Sequence, residues 1–165
     1  LFFYDNQKEY KQIPYNIKYH GNIAAGRYFG KMLGEYLAQC PWIQDVDAVI
    51  PVPLHWIRKW KRGYNQAEVI ANEVAATLKI PLRTDLLKRI RSTKTQTRLD
   101  VRKKSENVKG AFKAARHDSD RFRHIIIVDD IFTTGSTLMA CFTALREISP
   151  PSVRISVATL GFVSG

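Results

Sequence analysis

Two adjacent carboxylates, Asp129 and Asp130, stand between an apolar β-branched run and a cluster of hydroxyls in HIIIVDDIFTTGSTLMA, residues 124–140. Ile125 to Val128 reads as a buried strand and Ser136 to Ile148 as a helix, so the acids fall where a strand gives way to a helix. In an open α/β sheet, ligands sit beyond the carboxyl ends of the strands. The first-turn amides of the helix have no intrahelical partners, and its dipole adds positive charge there. Gly135 lets the backbone approach a ligand closely, and the hydroxyls of Thr133, Thr134, Ser136 and Thr137 donate to phosphate oxygens. Asp129 and Asp130 would repel a phosphate but suit the neutral diol of a ribose. The expectation is a sugar phosphate, held by its phosphate at the helix and by its diol at the acids. The bland alternative is that Thr133 or Ser136 caps the helix and the acids are solvated. A nucleotide P-loop is disfavoured because GxxxxGK[ST] is absent, and a phospho-acceptor aspartate leaves the Thr-Thr-Gly-Ser-Thr run unexplained.

The elements that must position these residues alternate along the chain. From Asn22 to Gln39, Ala25, Tyr28, Phe29, Met32, Leu33, Tyr36 and Leu37 recur at the spacing of an amphipathic helix, which Pro41 stops. Val46 to Val52 leads into a short strand, Val49 to Val52, that ends against Pro53. A second amphipathic helix follows Asn65, with Ala67, Ile70, Ala71, Val74 and Leu78 on one face, and ends before Pro81; Asn65 is expected to cap it. Leu86 and Leu87 suggest a short strand, and the polar stretch from Arg89 to Lys109 reads as a functional or mobile loop. Gly110 to Ala114 resumes a strand, and Val153 to Leu160 closes the pattern. The reading is an α/β domain with a mainly parallel sheet flanked by helices.

With 165 residues and 45% hydrophobic content, the chain can bury one sizeable core, so a single domain is expected. It has no internal repeat, no low-complexity tract, and no apolar run near the roughly 20 residues that span a bilayer. A soluble, cytoplasmic protein is expected, one whose natural N-terminus lies upstream of Leu1. Cys40 and Cys141 read as buried free thiols, with no paired spacing that suggests zinc. The formal net charge of +11 favours polyanions, with cations clustered at Arg58, Lys59, Lys61 and Arg62 and again from Lys88 to Lys104. Nucleic acid and a phosphorylated small molecule both fit, as does a merely solvated basic face.

The segment from Ile125 to Thr137 resembles the phosphoribosyl-pyrophosphate binding motif of the type I phosphoribosyltransferases. Three further stretches resemble the ComF subgroup, the competence-associated amidophosphoribosyltransferase-like proteins: PVPLHWIRKWKRGYNQAE at 51–68, TQTRLDVRKKSENVKGAF at 95–112 and KYHGN at 18–22. Together they cover nearly the whole chain. The resemblance implies the type I phosphoribosyltransferase fold, with a small hood region, over one domain at 1–165. It implies that Asp129 and Asp130 bind the ribose 2′ and 3′ hydroxyls and are the catalytic candidates. Ile131, Phe132, Thr133, Thr134, Gly135, Ser136 and Thr137 would complete the phosphoribosyl-pyrophosphate loop, and Val52, Pro53 and Leu54 would form the pyrophosphate loop. Gln96, Arg98 and Arg102 fall in a mobile loop that closes over the site. ComF-type proteins commonly carry an N-terminal four-cysteine zinc element; this chain has no CxxC, so zinc is not expected in these residues.

If the ligand is phosphoribosyl pyrophosphate, catalysis is mostly positioning and charge stabilisation. Magnesium is the implied cofactor, held by ligand and water with no direct protein ligand. Arg58 and Arg62 are the nearest candidates for pyrophosphate contacts, since guanidinium groups bind phosphate in bidentate fashion; the alternative is a solvated helix face. Gly63, Tyr64, Asn65 and Gln66 suggest a tight turn at the site's rim. His55 is a minor candidate, while His117 and His124 read as surface and strand-edge residues. Trp56 and Trp60, four apart among cations, suit base stacking, or a core or partner contact. Two functions follow. One is a magnesium-dependent phosphoribosyltransferase acting on an unidentified nitrogen nucleophile. The other is a module that binds the same ligand while its basic loops engage single-stranded DNA or competence proteins. A regulator with a vestigial site fits poorly because every acid and hydroxyl remains. An oligomer is left open; the aromatic Leu1 to Tyr4 suits a partner or an ordinary first strand.

Overall fold

The computed structural model describes residues 2–4, 23–91, 108, 110–115 and 122–163. Four short runs rich in Val, Ile and Phe form one parallel sheet in the order β1 (Phe2–Tyr4), β6 (Arg154–Val163), β5 (His124–Phe132), β2 (Ala48–Pro51). Registers such as Ile50 with Ile127 and Ile127 with Val157 align the strands, and Leu82 adds an isolated parallel bridge to Val49 beyond β2. A parallel sheet is covered on both faces, which explains the continuous apolar run in β5. Ala48, Ile50, Ile125 and Ile127 belong to one core, and Val49, Ile126, Val128, Ala158 and Leu160 to the other.

The first core is closed by α4 (Ser136–Arg146), through Leu138, Cys141 and Leu145, and by an antiparallel pair, β3 (Leu87–Arg89) with β4 (Phe112–Ala114). The second core is closed by α3 (Gln66–Leu78), through Ile70, Ala71 and Val74, and by α1 (Ile23–Leu37), through Leu33 and Leu37. Gly30 and Gly34 let α1 lie against α3: a Cβ at Gly30 would meet the Ile70 carbonyl oxygen at 2.9 Å, and one at Gly34 would meet Thr77 Cβ at 2.7 Å. The α/β architecture with a parallel sheet flanked by helices is as the alternation of patterns indicates. No helix among the described residues is long and apolar enough to cross a membrane.

Three details differ from the sequence reading. β5 continues past Val128 through both acids to Phe132, because Asp129, Ile131 and Phe132 stay in register with Thr159, Gly161 and Phe162 of β6. A seven-residue helix, α2 (Trp56–Arg62), fills the segment after Pro53. His124 is buried, not at the surface: its Nε2 meets Ser156 Oγ at 2.8 Å, and its ring packs beside Trp42. Trp42 belongs to a 3-10 turn, Pro41–Asp45, that the sequence pattern does not announce. Both cysteines are free, with Cys141 buried and Cys40 half-buried. Residues 18–22, His117 and Gln96, Arg98 and Arg102 of the expected mobile loop lie outside the described residues.

Candidate active site

The acids are built into the end of β5. Asp130 is buried and Asp129 half-buried. One oxygen of each carboxylate accepts from the next backbone amide, Asp129 Oδ1 from Asp130 N and Asp130 Oδ1 from Ile131 N, both at 2.9 Å. Those bonds fix both carboxylates before any ligand arrives. The chain then turns through Thr133 and Thr134 to Gly135, whose φ of 71° is left-handed and which stands at the N-cap of α4. No described side chain caps the first-turn amides of α4, and its first turn holds no acid. Thr134 Oγ1 and Ser136 Oγ lie 3.0 Å apart. A glycine at the N-cap supplies no capping side chain, which leaves first-turn amides open to another acceptor.

Opposite the acids, β2 ends by passing Val52 N to the Val128 carbonyl, at 2.9 Å, before Pro53 stops the pairing. His55 is buried and caps α2, its Nδ1 accepting from Ile57 N at 3.4 Å, so helix capping accounts for this histidine. Gly63, with φ of 79°, closes α2. Asn65 stands at the N-cap position of α3, yet it makes no side-chain cap; its Nδ2 donates to the buried Val52 carbonyl at 3.0 Å. The cap expected of Asn65 is forgone, a loss of about 0.5–2 kcal/mol to the helix, because the Val52 carbonyl is a buried acceptor that would otherwise go unpaired.

These pieces enclose one cleft of about 280 Å³. Asp129, Asp130, Ile131, Thr133 and Thr137 form one wall, and Val52, Pro53, Leu54, Arg58, Arg62 and Gln66 the other. Of the expected site residues, Thr134, Gly135 and Ser136 are not among those that line this cleft. Phe132 instead packs away from the cleft, its ring stacked on Phe162 with 5.3 Å between centroids and lying against Gly135. Among the described residues no cluster of three or more His, Cys, Asp or Glu offers a metal cage. Two carboxylates beside a cationic wall fit magnesium carried by a phosphorylated ligand and water.

Arg89 also lines the cleft, and sequence reasoning missed it. It sits on β3 with its guanidinium over the Phe112 ring, 5.2 Å from the centroid. Burial, and then the nearby Arg58 charge, pull its pKa below the ordinary value, while Cys141 and Asp129 push it back. An arginine so placed stays cationic. The only sequence signal was its position two residues after Leu87, at the start of a stretch that read as loop. Trp56 and Trp60 are exposed by 71% and 82%, so the core alternative for that pair is excluded.

Residues 64–160 match the family model described as the phosphoribosyl transferase domain. Competence protein F of Haemophilus influenzae is 36% identical over 110 residues, covering 66% of this chain and 48% of the relative. DNA utilization protein YhgH of Escherichia coli (strain K12) is 35% identical over 113 residues, covering 68% of this chain and 49% of the relative. The chain thus spans about half the length of the curated relatives it matches. The crystal structure of TT1426 from Thermus thermophilus aligns over 83% of each chain at 15% identity, with a TM-score of 0.48. With a family match that takes in the acids and the hydroxyl loop, the chain belongs to the phosphoribosyl transferase domain family and is a relative of Competence protein F and YhgH.

Proposed function

We propose that the chain is one phosphoribosyltransferase domain that binds phosphoribosyl pyrophosphate with magnesium and transfers the phosphoribosyl group to a nitrogen acceptor. The observation that carries this reading is the single cleft in which Asp129 and Asp130 face Arg58, Arg62 and Arg89. The acids accept from the ribose hydroxyls, the loop from Thr133 to Thr137 receives the 5′-phosphate, and the arginines with the 52–54 loop receive the pyrophosphate. The acceptor nitrogen forms its bond to the anomeric carbon as the bond to pyrophosphate breaks, the electron pair leaving with pyrophosphate and the proton shed by the nitrogen passing to pyrophosphate or solvent. Preorganised carboxylates near the ribose favour the positive charge that develops there, and fixed guanidinium groups favour the departing anion. Magnesium, when bound, neutralises the leaving group. Free thiols such as Cys40 and Cys141 suit a reducing, cytoplasmic setting.

Calorimetric titration with phosphoribosyl pyrophosphate and magnesium tests the site, beside an Asp129→Asn, Asp130→Asn variant. Binding that the variant loses supports the reading; no binding by the unaltered protein sinks it. Release of pyrophosphate with a nucleobase, ammonia or amine acceptor tests the transfer itself.

A second reading is favoured by the exposed Trp56 and Trp60 on α2, among Arg58, Lys59 and Arg62, and by relatives named for competence and DNA utilization. On this reading the same fold is an accessory of single-stranded DNA uptake, with bases stacked on the indoles. It requires oligonucleotide binding that weakens steeply with salt and is lost in a Trp56→Ala, Trp60→Ala variant; no affinity at low salt removes it.

A further inference from the structure

Two neutral carboxamides, Asn65 and Gln66, stand side by side where α3 begins, 7% and 4% exposed. Each reaches a different part of the cleft's cationic wall. Asn65 Nδ2 donates to the Val52 carbonyl at 3.0 Å, at the point where the 52–54 loop leaves β2. Gln66 Oε1 accepts from Arg62 Nη1 at 3.4 Å, in the last turn of α2. A guanidinium only donates, so the contact with Arg62 fixes which end of the Gln66 amide faces it. Asn65 also forgoes the helix cap for which its type and position suit it.

The choice of amides over acids follows from charge. An aspartate at 65 would set a second acceptor against the Val52 carbonyl and an anion beside the pyrophosphate loop. A glutamate at 66 would bind Arg62 as an ion pair and withdraw that cation from any ligand. A neutral donor and a neutral acceptor hold both parts without adding negative charge to a wall that must receive it.

We infer that Asn65 and Gln66 are positioning residues for the leaving pyrophosphate: Asn65 fixes the 52–54 loop and Gln66 fixes the Arg62 guanidinium. This rests on the phosphoribosyl-pyrophosphate reading above and adds a division of labour to it. The acids are held by the backbone amides that follow them, so Asn65 and Gln66 act on the pyrophosphate end of the ligand.

The test is calorimetry with three probes, phosphoribosyl pyrophosphate with magnesium, pyrophosphate with magnesium, and ribose 5-phosphate, on the unaltered protein and on Asn65→Asp, Gln66→Glu and Gln66→Met. Asn65→Asp and Gln66→Glu are expected to weaken both pyrophosphate-bearing probes by roughly ten- to hundredfold, while ribose 5-phosphate stays within about threefold. Gln66→Met releases Arg62 without adding charge and is expected to weaken them less than Gln66→Glu. Tyr36→Phe, on the exposed face of α1 and outside the cleft, is the control; it is expected to leave all three affinities unchanged. If Asn65→Asp fails to fold, the Gln66 pair decides. Equal losses for all three probes, no loss for any, or the same loss in Tyr36→Phe would overturn the inference. An unaltered protein that binds ribose 5-phosphate but neither pyrophosphate-bearing probe would overturn the transferase reading itself.

Discussion

Replacing Gly135 by alanine tests the phosphate loop at its tightest point. Gly135 holds φ of 71° and ψ of −5° at the start of α4, and an added Cβ would sit 2.8 Å from Phe132 Cζ and 3.1 Å from Cε2. The left-handed backbone alone costs an alanine about 1–2 kcal/mol. The ring contact adds to this, since Phe132 is stacked on Phe162 at 5.3 Å and cannot swing that way freely; overpacking of this kind costs about 1–3 kcal/mol. The expected loss is roughly 2–5 kcal/mol. In a Phe132→Ala background the ring contact disappears, and the same substitution should cost only about 1–2 kcal/mol. Urea unfolding of the four proteins gives both numbers. Because the strain falls on the turn that aims the α4 amides, affinity for phosphoribosyl pyrophosphate should drop by about tenfold or more as well. A cost below about 0.5 kcal/mol would refute the left-handed account of Gly135, and an equal cost in both backgrounds would refute the contact with Phe132.

Three further expectations follow from other parts of the fold. Gly30→Ala and Gly34→Ala should each destabilise by about 1–3 kcal/mol in urea, because the new methyl meets Ile70 backbone or Thr77 Cβ; Gly26→Ala meets only a Val69 methyl at 3.1 Å and should be near neutral once its helix-propensity gain is counted. Burial, with help from Arg154, holds the His124 imidazole below its usual pKa, against the opposing pull of Asp45 and Asp47. The unfolded chain therefore takes up this proton before the folded one does, so His124 should subtract stability as pH falls through the unfolded value near 6.5; a pH series of urea midpoints should flatten between about pH 7.5 and 5 in His124→Asn. Burial also pushes the Cys141 thiol far up, so iodoacetamide at mild alkaline pH should label Cys40 in the folded protein and reach Cys141 only in denaturant.

How legible was all this in the chain? The acids and hydroxyls from Asp129 to Thr137 are contiguous and sit at a strand-to-helix junction with strong patterning on both sides, so the sequence exposes them directly. The end of β5 was misjudged by four residues because polar Asp129 and Asp130 break the apolar run, while β6 keeps pairing with them. Arg89 was hidden because β3 is three residues long and only tertiary packing on α4 makes it a strand. Asn65 misled because capping is a local preference, whereas the Val52 carbonyl that claims its side chain is set by the fold. His124 looked peripheral for the same reason: the 3-10 turn that brings Trp42 over it carries no periodic signal.

The misses share a cause that bears on the chemistry. A ligand with phosphate at both ends and a neutral diol between them needs a cleft whose walls carry opposite charge, and no single segment supplies both. Asp129 and Asp130 come from the end of β5, Arg58 and Arg62 from α2, and Arg89 from β3. Arg89 lies within electrostatic reach of both Arg58, which disfavours its charge, and Asp129, which favours it. A phosphate entering beside Arg58 would remove the first effect and leave the second. The opposed charges of the cleft are therefore a property of the fold, since β5, α2 and β3 each supply one part of it.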